Sequence, residues 1–225
     1  MISIILIGDL RRKEENKLTQ HLSMLNFKKL LPLLLVLLSG FSIPAPKSVI
    51  TKWVLNKESS LKVNGSTNIN KFSCIIPDYP KADTLTTYTG NANEPVKVTG
   101  SMVLDVQSFD CHNAIMTKDL RKTLKEKEFP KVTIRFINLS KYPNASGQQE
   151  DIKGAVAISL AGVTKLFDVD YRFTKTGTRT LTLIGTKAVN FSDFEITPPR
   201  KLGGMIKTNN TLDVEFVLKL TILNP

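Results

Sequence analysis

The chain has 225 residues, 41% of them hydrophobic, which is enough apolar material for one domain with a real core. Its formal charge of +11 comes from 31 Lys and Arg against 20 Asp and Glu. The lysines are scattered or interleaved with acids, as in Lys125-Glu126-Lys127-Glu128, and no aromatic-studded basic stripe exists. That argues against a nucleic-acid partner and leaves weak contact with an anionic membrane surface open.

Residues 24 to 45, MLNFKKLLPLLLVLLSGFSIPA, place Lys28 and Lys29 before an apolar run from Leu30 to Leu38, followed by small residues. This is the pattern of a secretory signal peptide, and the run is short for a membrane span of about 20 residues. Residues 1–23 sit awkwardly ahead of such a signal and read as an upstream extension, with Met24 as the true start. Cleavage after Ser42 or Ala45 leaves residues 46–225 as a single domain, periplasmic or secreted. Removing residues 1–45 takes away six Lys and Arg and three Asp and Glu, so the remaining chain carries +8. Cys74 and Cys111 are the only cysteines. In an oxidising compartment they suit one disulfide, the alternative being two buried thiols.

From Val49 onward the pattern is mostly β. Trp53, Leu55, Leu61 and Val63 open it, and Asn64-Gly65 is a turn signal. Ile69 and Phe72 lead into Cys74, after which the stretch from Pro77 through Asn93 reads as irregular or weakly stranded. Gly100 to Phe109 is a clean strand with Met102, Leu104 and Val106 on one face. Residues 116–128 break the alternation: Met116, Leu120 and Leu124 recur at intervals of four, the mark of a short amphipathic helix whose polar face is solvated. The helix stops at Phe129-Pro130, and Val132, Ile134 and Phe136 restart a strand.

Tyr142 to Gln149 reads as a loop. Gly154 to Phe173 then predicts a β-hairpin: Ile152, Val156, Ile158 and Leu160 alternate on one arm, Phe167, Val169, Tyr171 and Phe173 on the other. Residues 161–165 connect them, and Asp168 and Asp170 face outward as solubility residues. Thr176-Gly177 marks the next turn, Leu181 and Leu183 a strand running to Phe191, and Pro198 to Gly204 a long connection. The last strand, Leu212 to Ile222, alternates without a break. About eight long, mostly antiparallel strands with one inserted helix favour a tall closed barrel over a small sandwich.

The chain offers little for catalysis. His112 is the only histidine outside the leader, and its neighbour Cys111 points to the opposite face of an extended chain, so the two make no dyad. One histidine and two cysteines fit no zinc spacing, and Gly203-Gly204 lacks a phosphate-cradling pattern. An enzyme is disfavoured, and neither a metal nor a required cofactor is expected.

Several segments carry a resemblance. Leu160-Ala161-Gly162-Val163-Thr164-Lys165 before an alternating strand resembles the LxGVTK hairpin of the YceI-like family. Asp119-Leu120-Arg121, with Phe129-Pro130-Lys131-Val132-Thr133-Ile134-Arg135-Phe136, is similar to that family's helix-into-strand passage. Ser192-Asp193-Phe194-Glu195-Ile196 is similar to its SDFGI-type segment, and Val103 to Ser108 fits the strand before the helix. The resemblance spans residues 53–222. It departs at Leu166, where a proline often follows the turn, and at Glu195, where a glycine is usual.

The resemblance implies an all-β, eight-stranded antiparallel lipocalin-like barrel with one short inserted helix. It implies an exported protein that holds a polyisoprenoid or quinone-type isoprenoid chain in its lumen as a carrier or sequestering protein. Inward positions that would line such a lumen are Met102, Leu104, Val106, Ile134, Phe136, Ile158, Leu160, Val169, Tyr171, Phe173, Val214, Phe216 and Leu218. Each serves equally well as ordinary core. The alternative reading is a non-enzymatic stress-response or interaction module with a packed interior and a contact surface around Pro198 to Gly204. A homodimer is compatible with either.

Overall fold

In the computed structural model, which describes residues 48–90, 94–143 and 149–224, the period-two pattern becomes a run of strands. The first half supplies β1 (Val49–Leu55), β2 (Ser60–Ser66), β3 (Lys71–Ile76), β4 (Thr84–Thr89), β5 (Val96–Thr99) and β6 (Ser101–Asp105). Helix α1 (Ala114–Thr123) follows, then β7 (Lys131–Leu139), β8 (Glu150–Leu160), β9 (Val163–Lys175) and β10 (Thr180–Asn190). A short ribbon, β11 (Arg200–Lys201) and β12 (Ile206–Lys207), precedes the long β13 (Thr211–Asn224). The leader and upstream extension read in residues 1–45 lie outside the described residues.

Neighbouring strands run β1-β4-β5-β7-β8-β9-β10-β13, and β13 pairs back onto β1, which closes an eight-stranded antiparallel barrel. β6 prolongs β5 along β7, while the β2–β3 hairpin prolongs the wall beside the N-terminal half of β13. A bridge between Ile75 and Asp110 joins β3 to the segment after β6. Closure leaves this wall no long open edge, which is how a barrel avoids edge-to-edge aggregation.

Several boundaries differ from the sequence reading. Asn64-Gly65 is not a turn; β2 runs through it and the chain reverses at Thr67–Asn70, where Thr67 Oγ1 accepts from the Asn70 N–H at 3.0 Å. Gly65 is there for space, since a Cβ would collide with the Phe72 ring. The stretch after Pro80 contains β4, fully paired with β1 despite its threonine-rich sequence. The strand from Gly100 stops at Asp105, and Val106 opens a 3₁₀ turn.

Helix α1 starts earlier than its apolar spacing suggested because Asn113 caps it, accepting from the N–H groups of Ile115 and Met116, both at 3.0 Å. It ends at Thr123, short of Glu128, where Leu124 leaves helical geometry and Lys125 takes φ 55°. The hairpin connection is two residues, not five: Ala161 (φ 51°) and Gly162 (φ 88°) make the left-handed pair that matches strand twist.

One end of the barrel is filled by aromatic rings. Ring centroids lie 5.8 Å apart for Tyr142 and Trp53, 6.1 Å for Trp53 and Phe173, and 6.3 Å for Phe173 and Tyr171. The run continues from Tyr171 to Phe216 at 5.9 Å and on to Phe136 at 6.0 Å. Gly185 on β10 faces this run, and any side chain there would occupy the space of the Phe216 ring. Such pairs add about 0.5–1.5 kcal/mol each beyond area burial, so this end is a rigid plug.

Candidate functional site

The opposite end is closed by α1 and by the turn Phe191–Phe194. α1 is tied down by the Cys74–Cys111 disulfide, which fastens the segment before it to β3, and by Arg121, whose Nη2 donates to the Phe109 carbonyl at 2.9 Å. The Cys111 N–H donates to Thr117 Oγ1 at 3.0 Å, holding the first turn against its own lead-in. Beyond the helix, Phe129 lies over Gly162 of the β8–β9 turn.

Two apolar spaces meet at this helix. Inside the barrel is a cavity of about 60 Å³ walled entirely by hydrophobic side chains, among them Leu120 of α1, Leu124 just after it, Ile134, Ile158, Leu160, Phe194 and Val214. Outside is a groove of about 370 Å³ between α1, the β2–β3 hairpin and the β11–β12 ribbon, floored by Ile69, Phe72, Ile115, Met116, Leu120 and Ile206. Leu120 lines both. At about 30 Å³ per water-sized volume the cavity holds two small groups at most, whereas the groove is within the range of small-molecule sites. Of these two spaces, the groove is the one with room for a ligand. Polar groups share that groove's lining: Lys201 pairs with Asp119, both on its wall, and beside it Asn68 clips the hairpin to the ribbon by donating to the Met205 carbonyl at 2.9 Å and accepting from the Lys207 N–H at 2.8 Å.

The thirteen inward candidates divide into two groups. Ile134, Ile158, Leu160 and Val214 line the cavity. Met102, Leu104, Val106, Phe136, Val169, Tyr171, Phe173, Phe216 and Leu218 are buried in the core outside its lining, Met102 and Leu104 directly opposite Ile134 and Val132 of its wall. Within that packed part, Tyr171 Oη and Trp53 Nε1 are buried with no hydrogen-bond partner among the described residues, and burial drives the Tyr171 phenol well above its ordinary pKa. His112 is exposed, with φ 57°, its N–H donating to Asp110 Oδ1 at 2.8 Å. Cys111 beside it carries no thiol, because its sulfur is bonded to Cys74. Asp168 and Asp170 are exposed on the outer face of β9.

A family model for the YceI-like domain matches residues 53–220, which takes in the whole barrel from Trp53 on β1 to Leu220 on β13. The chain belongs to the YceI-like family. Two solved structures have the same fold at low sequence identity. One is a polyisoprenoid binding domain from Saccharophagus degradans implicated in plant cell wall breakdown, with a TM-score of 0.57 at 14% identity, covering 75% of this chain and 97% of that one. The other is BcnA of Burkholderia cenocepacia, with a TM-score of 0.53 at 14% identity, covering 72% of this chain and 95% of that one. A search of curated protein sequences gives no match.

The YceI-like segments quoted from the sequence converge on the α1 end. LAGVTK is the tight turn against Phe129. Asp119-Leu120-Arg121 supplies the residue that lines both spaces and two of the contacts that hold α1, and Phe194 of the SDFEI segment walls the cavity. The sequence reading missed Leu120 and Leu124 as lining residues, although their spacing of four had marked the apolar stripe of α1. It also had no signal for the groove, whose floor comes from three elements far apart in sequence.

Proposed function

We propose that the protein binds a long apolar chain of the polyisoprenoid or isoprenoid-quinone class at the α1 end of its barrel, as an exported carrier or sequestering protein. The observation that carries this reading is the shared residue: the Leu120 side chain borders both a groove large enough for a ligand and an apolar cavity inside the barrel. A chain lying in the groove enters the barrel when Leu120 changes rotamer, meeting Leu124, Ile134, Ile158 and Val214. Deeper entry requires the rings of Phe136 and Phe216 to turn. Each methylene removed from water contributes about 0.8 kcal/mol, so a polyprenyl tail gains more from such a site than any single polar contact would supply.

Membership of the YceI-like family supports this class of ligand, as does the fold shared with a domain described as polyisoprenoid binding. The disulfide suits an oxidising compartment and so supports export. Binding is the whole of the activity in this reading; it assigns no catalytic group.

A second reading, an interaction module with a packed interior, is favoured by one observation, the small volume of the cavity. Native mass spectrometry of protein gently purified from its own host separates the two. The binding reading predicts a population carrying an extra mass that organic extraction removes and identifies as a lipid. Bare polypeptide alone contradicts it and supports the packed module.

A further inference from the structure

The α1 end carries a surface that the interior does not explain. Four large apolar side chains stand out of it: Ile69 is 66% exposed, Ile115 73%, Leu202 66% and Met205 70%. They come from the tip of the β2–β3 hairpin, the first turn of α1 and the β11–β12 ribbon, so no single stretch of sequence shows the cluster. The groove brings Ile69 and Ile115 to one opening, and Asn68 bonds the hairpin tip directly to Met205 and Lys207. Leu202 and Met205 flank Gly203 and Gly204, both at positive φ, in a tight projecting turn. Contiguous exposed apolar patches of this kind mark interaction sites.

The charge around the patch is one-sided. Segments 66–72, 112–119 and 199–208 hold five basic residues, Lys71, Lys118, Arg200, Lys201 and Lys207, and one acid, Asp119, which pairs with Lys201. We propose that this end of the barrel docks on an anionic lipid surface, with Ile69, Ile115, Leu202 and Met205 entering the interface and Lys71, Arg200 and Lys207 lying against the headgroups.

The combination selects the partner. A basic rim alone would suit any polyanion, but four large side chains at least two-thirds exposed gain nothing from a nucleic-acid backbone and gain burial in a bilayer interface. A second copy seated on the same patch would bring the two basic rims together and pay like-charge repulsion. Apolar insertion with a polybasic rim is the two-signal arrangement that gives reversible membrane binding. The docked orientation turns the groove toward the membrane. The proposal stands on the surface alone and does not require the interior to hold a lipid.

Co-sedimentation with vesicles tests it, using the protein purified from its own host and two paired variants. Wild type is expected to bind vesicles of mixed phosphatidylcholine and phosphatidylglycerol, more weakly as salt rises, and to bind pure phosphatidylcholine poorly. Ile115→Ser with Met205→Ser should lower partitioning onto the mixed vesicles about tenfold. Lys71→Gln with Lys207→Gln should lower it about 25-fold, roughly fivefold per charge, with little effect on pure phosphatidylcholine. All four residues are exposed, and an unchanged thermal midpoint in each variant verifies folding. Wild type that ignores anionic vesicles, or variants that bind as wild type does, overturn the proposal. So does concentration-dependent self-association that Ile115→Ser with Met205→Ser abolishes, since that would make a second copy the occupant. Loss of vesicle binding in Lys71→Gln with Lys207→Gln, neither of which lines the groove, with retained lipid in native mass spectra would separate this surface from the ligand site.

Discussion

Glu195 ends the Phe191–Phe194 turn in the left-handed region, at φ 55° and ψ 32°, with its N–H donating to the carbonyls of Phe191 and Ser192. A residue with a Cβ costs about 1–2 kcal/mol there, and glycine avoids that cost. The conformation accounts for the glycine usual at this point of SDFGI-type segments. Glu195→Gly is expected to raise stability by about 1 kcal/mol, the relief of strain exceeding the entropy that glycine adds to the unfolded chain. Urea denaturation with an unchanged slope and a higher midpoint would bear this out; a lower midpoint would show that the exposed carboxylate does more than occupy the site. The place of the β8–β9 turn was legible, since it falls within residues 161–165, but its two-residue length was not. Single residues were hidden where the reason lay elsewhere in the chain: Gly65 belongs to a strand only because Phe72 needs its space.

At the scale of elements, α1 decides how the barrel opens. Its N-terminal end is pinned by Asn113 and by the disulfide to β3 and its last turn by the Arg121 bond to Phe109, while Leu120 of its apolar stripe lines the cavity. Closing a loop of 37 residues contributes about 4 kcal/mol in the chain-entropy account. Cys74→Ala combined with Cys111→Ala is therefore expected to lower global stability by roughly 3–4 kcal/mol and to speed hydrogen exchange in α1 more than in β13. Equal exchange in both elements would mean that the bridge does not restrain the helix. The helix and most strands were readable from periodicity, because the 3.6 and 2.0 repeats survive in one sequence. β4 was not: threonines fill it, and its pairing with β1 rather than its apolar content makes it a strand.

For the whole molecule, closure into a barrel follows from long strands that alternate, so the architecture was open to sequence reasoning. The position of the ligand space was not. Periodicity says which side of a strand is apolar; it says nothing about whether facing side chains fill the volume between them. Here Phe136, Tyr171, Phe173 and Phe216 do so at one end, and the gap is left beneath α1. In the proposed binding mode an isoprenoid chain enters at α1, past Leu120. Methyl NMR of the protein labelled at Ile, Leu and Val, titrated with the three-isoprene alcohol farnesol, tests this. Saturable shifts are expected at Leu120, Leu124, Ile134 and Val214, while Val96 and Leu139, at the far end, stay in place. Shifts confined to Val96 and Leu139 or to the outer wall, or none at saturating ligand, would contradict it.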